Sequence, residues 1–202
     1  MRLLLTSDGL TSVKIREEVL KLLDKPAKDN LVLIMYTTKS KKYKKYLSKI
    51  KKQLVSLGIK PKNIYYANIS RNISAKKFKD FDVLFSCGGN TFYILGRVRK
   101  TGFDKFIKNF VKSGKLYIGV SAGSIIIHKT IEIAGWSKEG DINEIKLKNL
   151  RGLNMIRIAI FPHFHKSLAK EISSFKKKVN YPVIELRNKH AVLISGKKIK
   201  KI

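Results

Sequence analysis

An α/β fold built on a mainly parallel sheet with helices on both faces is predicted by three features of the sequence. Short unbroken apolar runs, such as 31–36 and 116–120, recur along the chain. They alternate with stretches of helical apolar spacing from the first residues onward. Glycine, serine and asparagine stand where most of these stretches stop. A strand buried on both faces reads as a continuous apolar run, whereas a half-exposed strand alternates with polar residues.

The elements follow in order. Residues 2–6 form a short strand, and residues 12–23 space Val13, Ile15, Val19, Leu20, Leu22 and Leu23 along one helical face. The run 31–36 is a strand, followed by a lysine-rich helix that stops near Gly58. Strands at 63–67 and 82–86 come next, the second ending in Cys87-Gly88-Gly89-Asn90. Helices over 91–99 and 103–112 stop near Gly102 and Gly114, and the strand 116–120 runs straight into Ser121-Ala122-Gly123-Ser124. Residues 137–148 are loop-like. The strand 156–161 ends in Pro162-His163-Phe164-His165, residues 167–179 are helical, and 183–186, 190–195 and 198–202 read as closing strands that could run antiparallel. The expected architecture is three layers in one domain spanning 1–202, without repeat or linker.

Composition narrows the functional classes. With 202 residues and 44% hydrophobic content the chain can bury a substantial core. No apolar run approaches the roughly 18 residues of a membrane span, and the opening residues are too polar for a signal peptide. A soluble, cytoplasmic protein without membrane partner is therefore expected. The single cysteine, Cys87, excludes an intramolecular disulfide and a thiolate-rich metal site. Lys+Arg 44 against Asp+Glu 14 gives +30, a field that attracts polyanions without specificity. The densest cluster, 39–52, interleaves its lysines with Tyr43, Tyr46, Leu47 and Ile50, as the solvated face of an amphipathic helix does. No nucleic-acid-binding motif accompanies it, so specific nucleic-acid recognition is not expected, although the charge allows non-specific binding.

Gly119-Val120-Ser121-Ala122-Gly123 matches G-x-S-x-G with a strand before it and a helix after it, the context that lifts a serine hydroxyl clear of a sheet's carboxyl edge. Ser121 is the candidate nucleophile. Gly88-Gly89-Asn90-Thr91 ends the preceding parallel strand, where paired glycines let backbone N–H groups face an oxyanion; Asn90 or Thr91 would also cap the next helix. We take Gly88, Asn90 and Thr91 as candidate substrate contacts. His163 is the preferred base because it follows a strand end and Pro162 fixes the backbone before it, with His165 second. His128 lies about two helical turns past Ser121, roughly 10 Å away and too far to serve. For the residue that orients the base, Glu185 in an apolar run and Asn188 just beyond it are the alternatives. Cys87 as nucleophile is a weaker idea, since a buried free cysteine is the commoner case.

These segments together, from Cys87 to Leu95, Lys100-Thr101-Gly102, Tyr117 to Ser124 and Phe161 to Phe164, resemble the peptidase E family, the S51 serine peptidases. The opening Leu4 to Ser7 and the ending from Tyr181 through Leu193 extend the resemblance over almost the whole chain. It implies a fold like that of class I glutamine amidotransferase domains and a nucleophile at Ser121 with His163 as base. It also implies oxyanion donors at the Gly89 and Ala122 amides, no metal or organic cofactor, and hydrolysis of small peptides, dipeptides with N-terminal aspartate above all. The family's third residue is acidic, yet the matching position holds Asn188. Either Asn188 orients the base, Glu185 substitutes for it, or activity is impaired. An impaired peptidase-like domain that binds an acidic partner or nucleic acid through its basic surface is the competing reading.

Overall fold

A computed structural model describes residues 1–38 and 43–202. Its main sheet has seven strands: β1 (Arg2–Thr6), β2 (Val32–Tyr36), β3 (Ile64–Asn68), β4 (Val83–Ser86), β5 (Leu116–Val120), β8 (Ala191–Ser195) and β9 (Lys198–Lys201). They lie in the order β3-β2-β4-β5-β1-β8-β9. The first five are mutually parallel; β8 pairs antiparallel with β1, and β9 antiparallel with β8. The intervening β6 (Ala159–Phe161) and β7 (Val183–Glu185) form a separate parallel pair. The expectation that 183–186 closes the main sheet is thus corrected: only the last two strands do so, while β7 pairs with β6.

The central strands are buried along both faces, and their side chains alternate between two cores. Leu3, Leu5, Leu33, Met35, Leu84 and Tyr117 face one side, where α3 (Thr91–Lys100) and α4 (Phe103–Lys112) contribute Leu95, Val98, Ile107 and Val111. Leu4, Ile34, Phe85 and Ile118 face the other, against Ile15 and Val19 of α1 (Val13–Leu22) and Ile50 and Leu54 of α2 (Tyr43–Ser56). Each such side chain stabilises the fold by about 1.5–3 kcal/mol through removal from water. The mainly parallel three-layer architecture is as the apolar runs predict.

Local chemistry sets the helix limits. Ser12 caps α1 by accepting from Ile15 N, but Val13 and Leu20 are exposed, so the buried face is narrower than the sequence spacing suggests. In α2, Tyr43, Tyr46, Leu47, Ile50 and Leu54 turn inward while Lys44, Lys45, Lys49 and Lys52 are exposed. This is the solvated-face arrangement; Lys39, Ser40, Lys41 and Lys42 of the predicted cluster lie outside the described residues. The helix after Ser121, α5 (Ala122–Ile125), is a single turn. His128 therefore stands beyond it, in an isolated bridge with Ile156, and not two turns along a helix. The last helix is α6 (Ala169–Lys178).

Candidate active site

The two glycines of G-x-S-x-G are needed for backbone contact. A Cβ on Gly119 would lie 2.7 Å from the Gly123 carbonyl oxygen, and one on Gly123 would lie 2.4 Å from that of Ser86. Glycine at both positions lets the start of α5 settle against the ends of β4 and β5. Ser121, at the turn, has φ 50° and ψ −112°, a conformation rare for a side-chain-bearing residue and typical of strain held at a functional turn. Thr6 at the end of β1 braces it: its carbonyl accepts from Ser121 N at 3.0 Å and from Ser124 Oγ at 2.8 Å, and its hydroxyl donates to the Gly119 carbonyl at 2.9 Å.

The candidate base arrives from the smaller sheet. The register pairs Phe161 with Glu185, and the ladder continues with Leu186 N donating to Phe161 O at 2.8 Å and Phe164 N to Leu186 O at 3.0 Å. Parallel pairing puts both strand ends at one edge, which brings His163 and Asn188 together. His163 Nε2 lies 3.0 Å from Ser121 Oγ, and its Nδ1 lies 2.8 Å from Asn188 Oδ1. With the amide oxygen accepting from Nδ1–H, Nε2 carries the free lone pair that can accept the serine proton. Thr11 Oγ1 donates to the Asn188 carbonyl at 3.0 Å and so helps hold the loop.

Glu185 does not reach this relay. Its Oε1 pairs with Lys176 Nζ of α6 at 2.6 Å. His165 also turns elsewhere, its Nε2 meeting Glu139 Oε2 and its Nδ1 meeting Ser167 Oγ, each at 3.0 Å. His128 is buried with its ring 4.5 Å from that of Tyr181, and burial holds its imidazole below the ordinary range. Burial pushes the Cys87 thiol well above its ordinary value, which removes it as a nucleophile.

The glycine loop sits against the serine. A Cβ on Gly88 would lie 3.2 Å from Ser121 Cβ, and Gly89 has φ +139°, a region open essentially to glycine alone. Ala122 opens α5, so its N–H is among the first-turn donors that lack an intrahelical partner. Asn90 and Thr91 have other duties than the predicted substrate contact. Asn90 Oδ1 caps α3 by accepting from Tyr93 N at 3.0 Å, and its Nδ2 donates to Ile142 O at 2.8 Å. Thr91 is fully buried, and its N–H and hydroxyl both donate to Asp141 Oδ2, at 2.8 and 2.5 Å. Together they pin the 137–148 loop as a wall of the site, which corrects the reading of Thr91 as a group that touches substrate.

Ser7, which in the sequence only ends the opening segment Leu4 to Ser7, has a role of its own. Fully buried at the end of β1, its hydroxyl oxygen accepts from His163 N at 2.8 Å, while the hydroxyl points to Asn188 Oδ1 at 3.4 Å. It thereby ties main sheet, base and orienting amide together, and it supports His163 in its own left-handed conformation at φ 55°. Its partners lie 156 and 181 positions away, so no local pattern could reveal it.

A pocket opens beside Ser121, lined by Ile125, Ile133, Ser137, Glu139, Asp141 and His163 among others, with neither lysine nor arginine among the described residues lining it. A second, which His163 also lines, is formed with Phe164, His165, Lys166, Arg187 and Asn188. Among the described residues no cluster of metal-ligating side chains occurs, and no helix is long and apolar enough to cross a membrane.

Several proteins are similar to this chain in sequence or in fold. An uncharacterized peptidase of Listeria monocytogenes is 31% identical over 160 residues, 76% of each chain. Peptidase E of Nostoc sp. is 27% identical over 149 residues, 74% of this chain and 57% of that one. The crystal structure of a candidate peptidase E protein from Listeria monocytogenes EGD-e superposes with a TM-score of 0.80 at 26% identity, covering 100% of this chain and 97% of that one. A peptidase from an acI-B1 actinobacterium shares the fold, with a TM-score of 0.72 at 14% identity over 100% of this chain and 86% of its own. The model of Peptidase family S51 matches residues 3–202, and the chain belongs to that family.

Proposed function

We propose that the protein is a serine peptidase of short peptides that works through an acyl-enzyme on Ser121, with His163 as base and Asn188 as its orienting partner. The observation that carries the reading is the continuous relay from Ser121 Oγ to His163 Nε2 and from His163 Nδ1 to Asn188 Oδ1, at 3.0 and 2.8 Å. Ser121 attacks the scissile carbonyl as its proton passes to Nε2. The Gly89 and Ala122 N–H groups receive the developing oxyanion, and His163 then protonates the leaving amine. Water, deprotonated by the same nitrogen, cleaves the acyl ester and regenerates the serine. None of these steps calls for a metal or organic cofactor.

The substrate class we infer is the unblocked dipeptide. An N-terminal aspartate, the preference the family resemblance implies, needs a cation for its side chain. Glu139 and Asp141 line the pocket at Ser121 instead, with no lysine or arginine among its described lining residues, while Lys166 and Arg187 line the second pocket that His163 shares. Carboxylates in that place suit the free α-ammonium of a peptide's first residue. Hydrolysis of Asp-X, Glu-X and Ala-X dipeptides beside Ser121→Ala tests both parts. Turnover that falls at least about 10³-fold in the variant supports the mechanism. Loss of turnover when the dipeptide's amine is acetylated supports ammonium recognition, while a strong Asp-X preference returns the aspartyl specificity. Turnover that survives Ser121→Ala overturns the mechanism.

A further inference from the structure

We propose that Tyr43 is a positioning residue, whose hydroxyl fixes the Gly88–Gly89 peptide so that the Gly89 N–H is aimed for oxyanion binding. The inference rests on the acyl-transfer reading of Ser121. Tyr43 OH donates to the Gly88 carbonyl at 3.0 Å. A trans peptide is planar, with its N–H pointing opposite to its C=O. A donor holding the Gly88 oxygen therefore fixes the direction of the Gly89 hydrogen, on the far side of that peptide from Tyr43. Donation to the carbonyl also polarises the amide and strengthens its N–H as a donor.

The peptide needs such an anchor because its sequence gives it none. Two successive glycines have the widest backbone freedom available, and Gly89 at φ +139° uses it. Neither can carry a side chain to hold the loop: a Cβ on Gly88 would press on Ser121 Cβ at 3.2 Å and on the Val120 carbonyl oxygen at 3.4 Å. The anchor has to come from another element. Tyr43, in the first turn of α2, is itself rigidly seated, its ring stacked on Tyr36 at 5.7 Å and 12° and edge-on to Tyr46 at 5.0 Å. Burial keeps the Tyr43 hydroxyl protonated far above neutral pH, so it remains a donor throughout the working range of a serine peptidase.

Tyr43→Phe removes the hydroxyl and keeps the ring. The expected result is a fall in kcat of about tenfold with KM unchanged, the loss of roughly one hydrogen bond's contribution at the transition state alone. A peptide aldehyde, which forms an oxyanion on Ser121, should lose affinity by the same factor. An uncleaved dipeptide bound to Ser121→Ala should bind equally with and without the second substitution. A merely structural tyrosine would instead lower the unfolding midpoint and leave this split absent. The Gly89 amide supplies a readout free of turnover: its 15N resonance should move in Tyr43→Phe and its hydrogen exchange should quicken. An unmoved Gly89 resonance, or a KM effect equal to the kcat effect, overturns the proposal. Absence of Ser121-dependent turnover would sink the peptidase reading, and the Gly89 resonance would still decide whether Tyr43 sets that peptide.

Discussion

In the proposed mechanism, Asn188 determines how far the His163 imidazole can be assisted. Its amide oxygen holds Nδ1–H and hence the tautomer, but it brings no charge to stabilise the imidazolium formed when the serine proton moves. Asn188→Asp supplies that charge in the same place, and Ser7 stands ready to donate to the new carboxylate. We expect kcat/KM to rise in Asn188→Asp and to fall in Asn188→Leu toward the roughly 10⁴-fold loss of a misoriented base. Glu185→Gln should alter kcat by less than about twofold, because that carboxylate serves Lys176 in a partly exposed pair. Steady-state kinetics on one dipeptide check all three, and a larger loss in Glu185→Gln than in Asn188→Leu would reverse the assignment. A second residue-scale prediction concerns stability. Burial lowers the affinity of His128 and His190 for protons in the fold, with Lys129 and Glu132 acting on the first and Lys201 and Arg187 on the second. As pH falls past the ordinary histidine value of 6.5, the unfolded chain takes up protons before the native one does. The stability they contribute is therefore complete above that value and drains below it. The denaturant midpoint should be lower at pH 5.5 than at pH 7.5, and His128→Gln should flatten part of the slope.

At the scale of elements the site depends on where strands stop. Gly123→Ala would drive a methyl group into the Ser86 carbonyl, so β4 and α5 would have to separate; we expect a loss of about 2–4 kcal/mol in denaturant unfolding. Gly114→Ala, with φ +84° and open space around it, should cost only about 1–2 kcal/mol. Equal effects would show that the elbow is not tightly packed. The same strand endings explain what was legible in the sequence. G-x-S-x-G was readable because its glycines answer a local steric demand, and His163 because strand, proline and histidine are contiguous. Asn188 could be reached by counting beyond a strand end. The choice between it and Glu185 depended on β6–β7 register and on the reach of Lys176 from α6, which no local pattern encodes. The departure of β7 from the main sheet was equally hidden, since three apolar-rich residues pair as well with one edge as another. Ser7 and Tyr43 act across 156 and 45 positions, and in sequence they read as a strand end and a helix's apolar face.

For the molecule as a whole, the large positive charge contrasts with the acid-lined pocket at Ser121. Several acids are spent on pairs with bases: Glu18 with Lys21 and Lys200, Asp24 with Arg2, Asp82 with Lys25, Glu185 with Lys176. Exposed lysines line the outer faces of α2 and α6 and strand β9. Glu139 and Asp141 are exceptions, because they line the pocket at Ser121 and engage His165 and Thr91. A zwitterionic dipeptide has no net charge to feel the long-range field, whereas a polyanion feels little else. We therefore expect duplex DNA of any sequence to bind at low salt and to be released by about 0.2 M, since each phosphate contact gives back its counterion advantage as salt rises. Dipeptide turnover should stay nearly level over the same range. The decisive experiment measures both in one titration: DNA binding by fluorescence anisotropy and hydrolysis by amine release, from 20 to 300 mM salt (values chosen to straddle a Debye length of roughly 10 Å). Bound DNA that leaves turnover untouched would mean that the +30 surface is electrostatically non-specific and remote from the nucleophile. Competitive inhibition would mean that the basic surface reaches the mouth of the site, with Arg187 and Lys166 as the first residues to substitute.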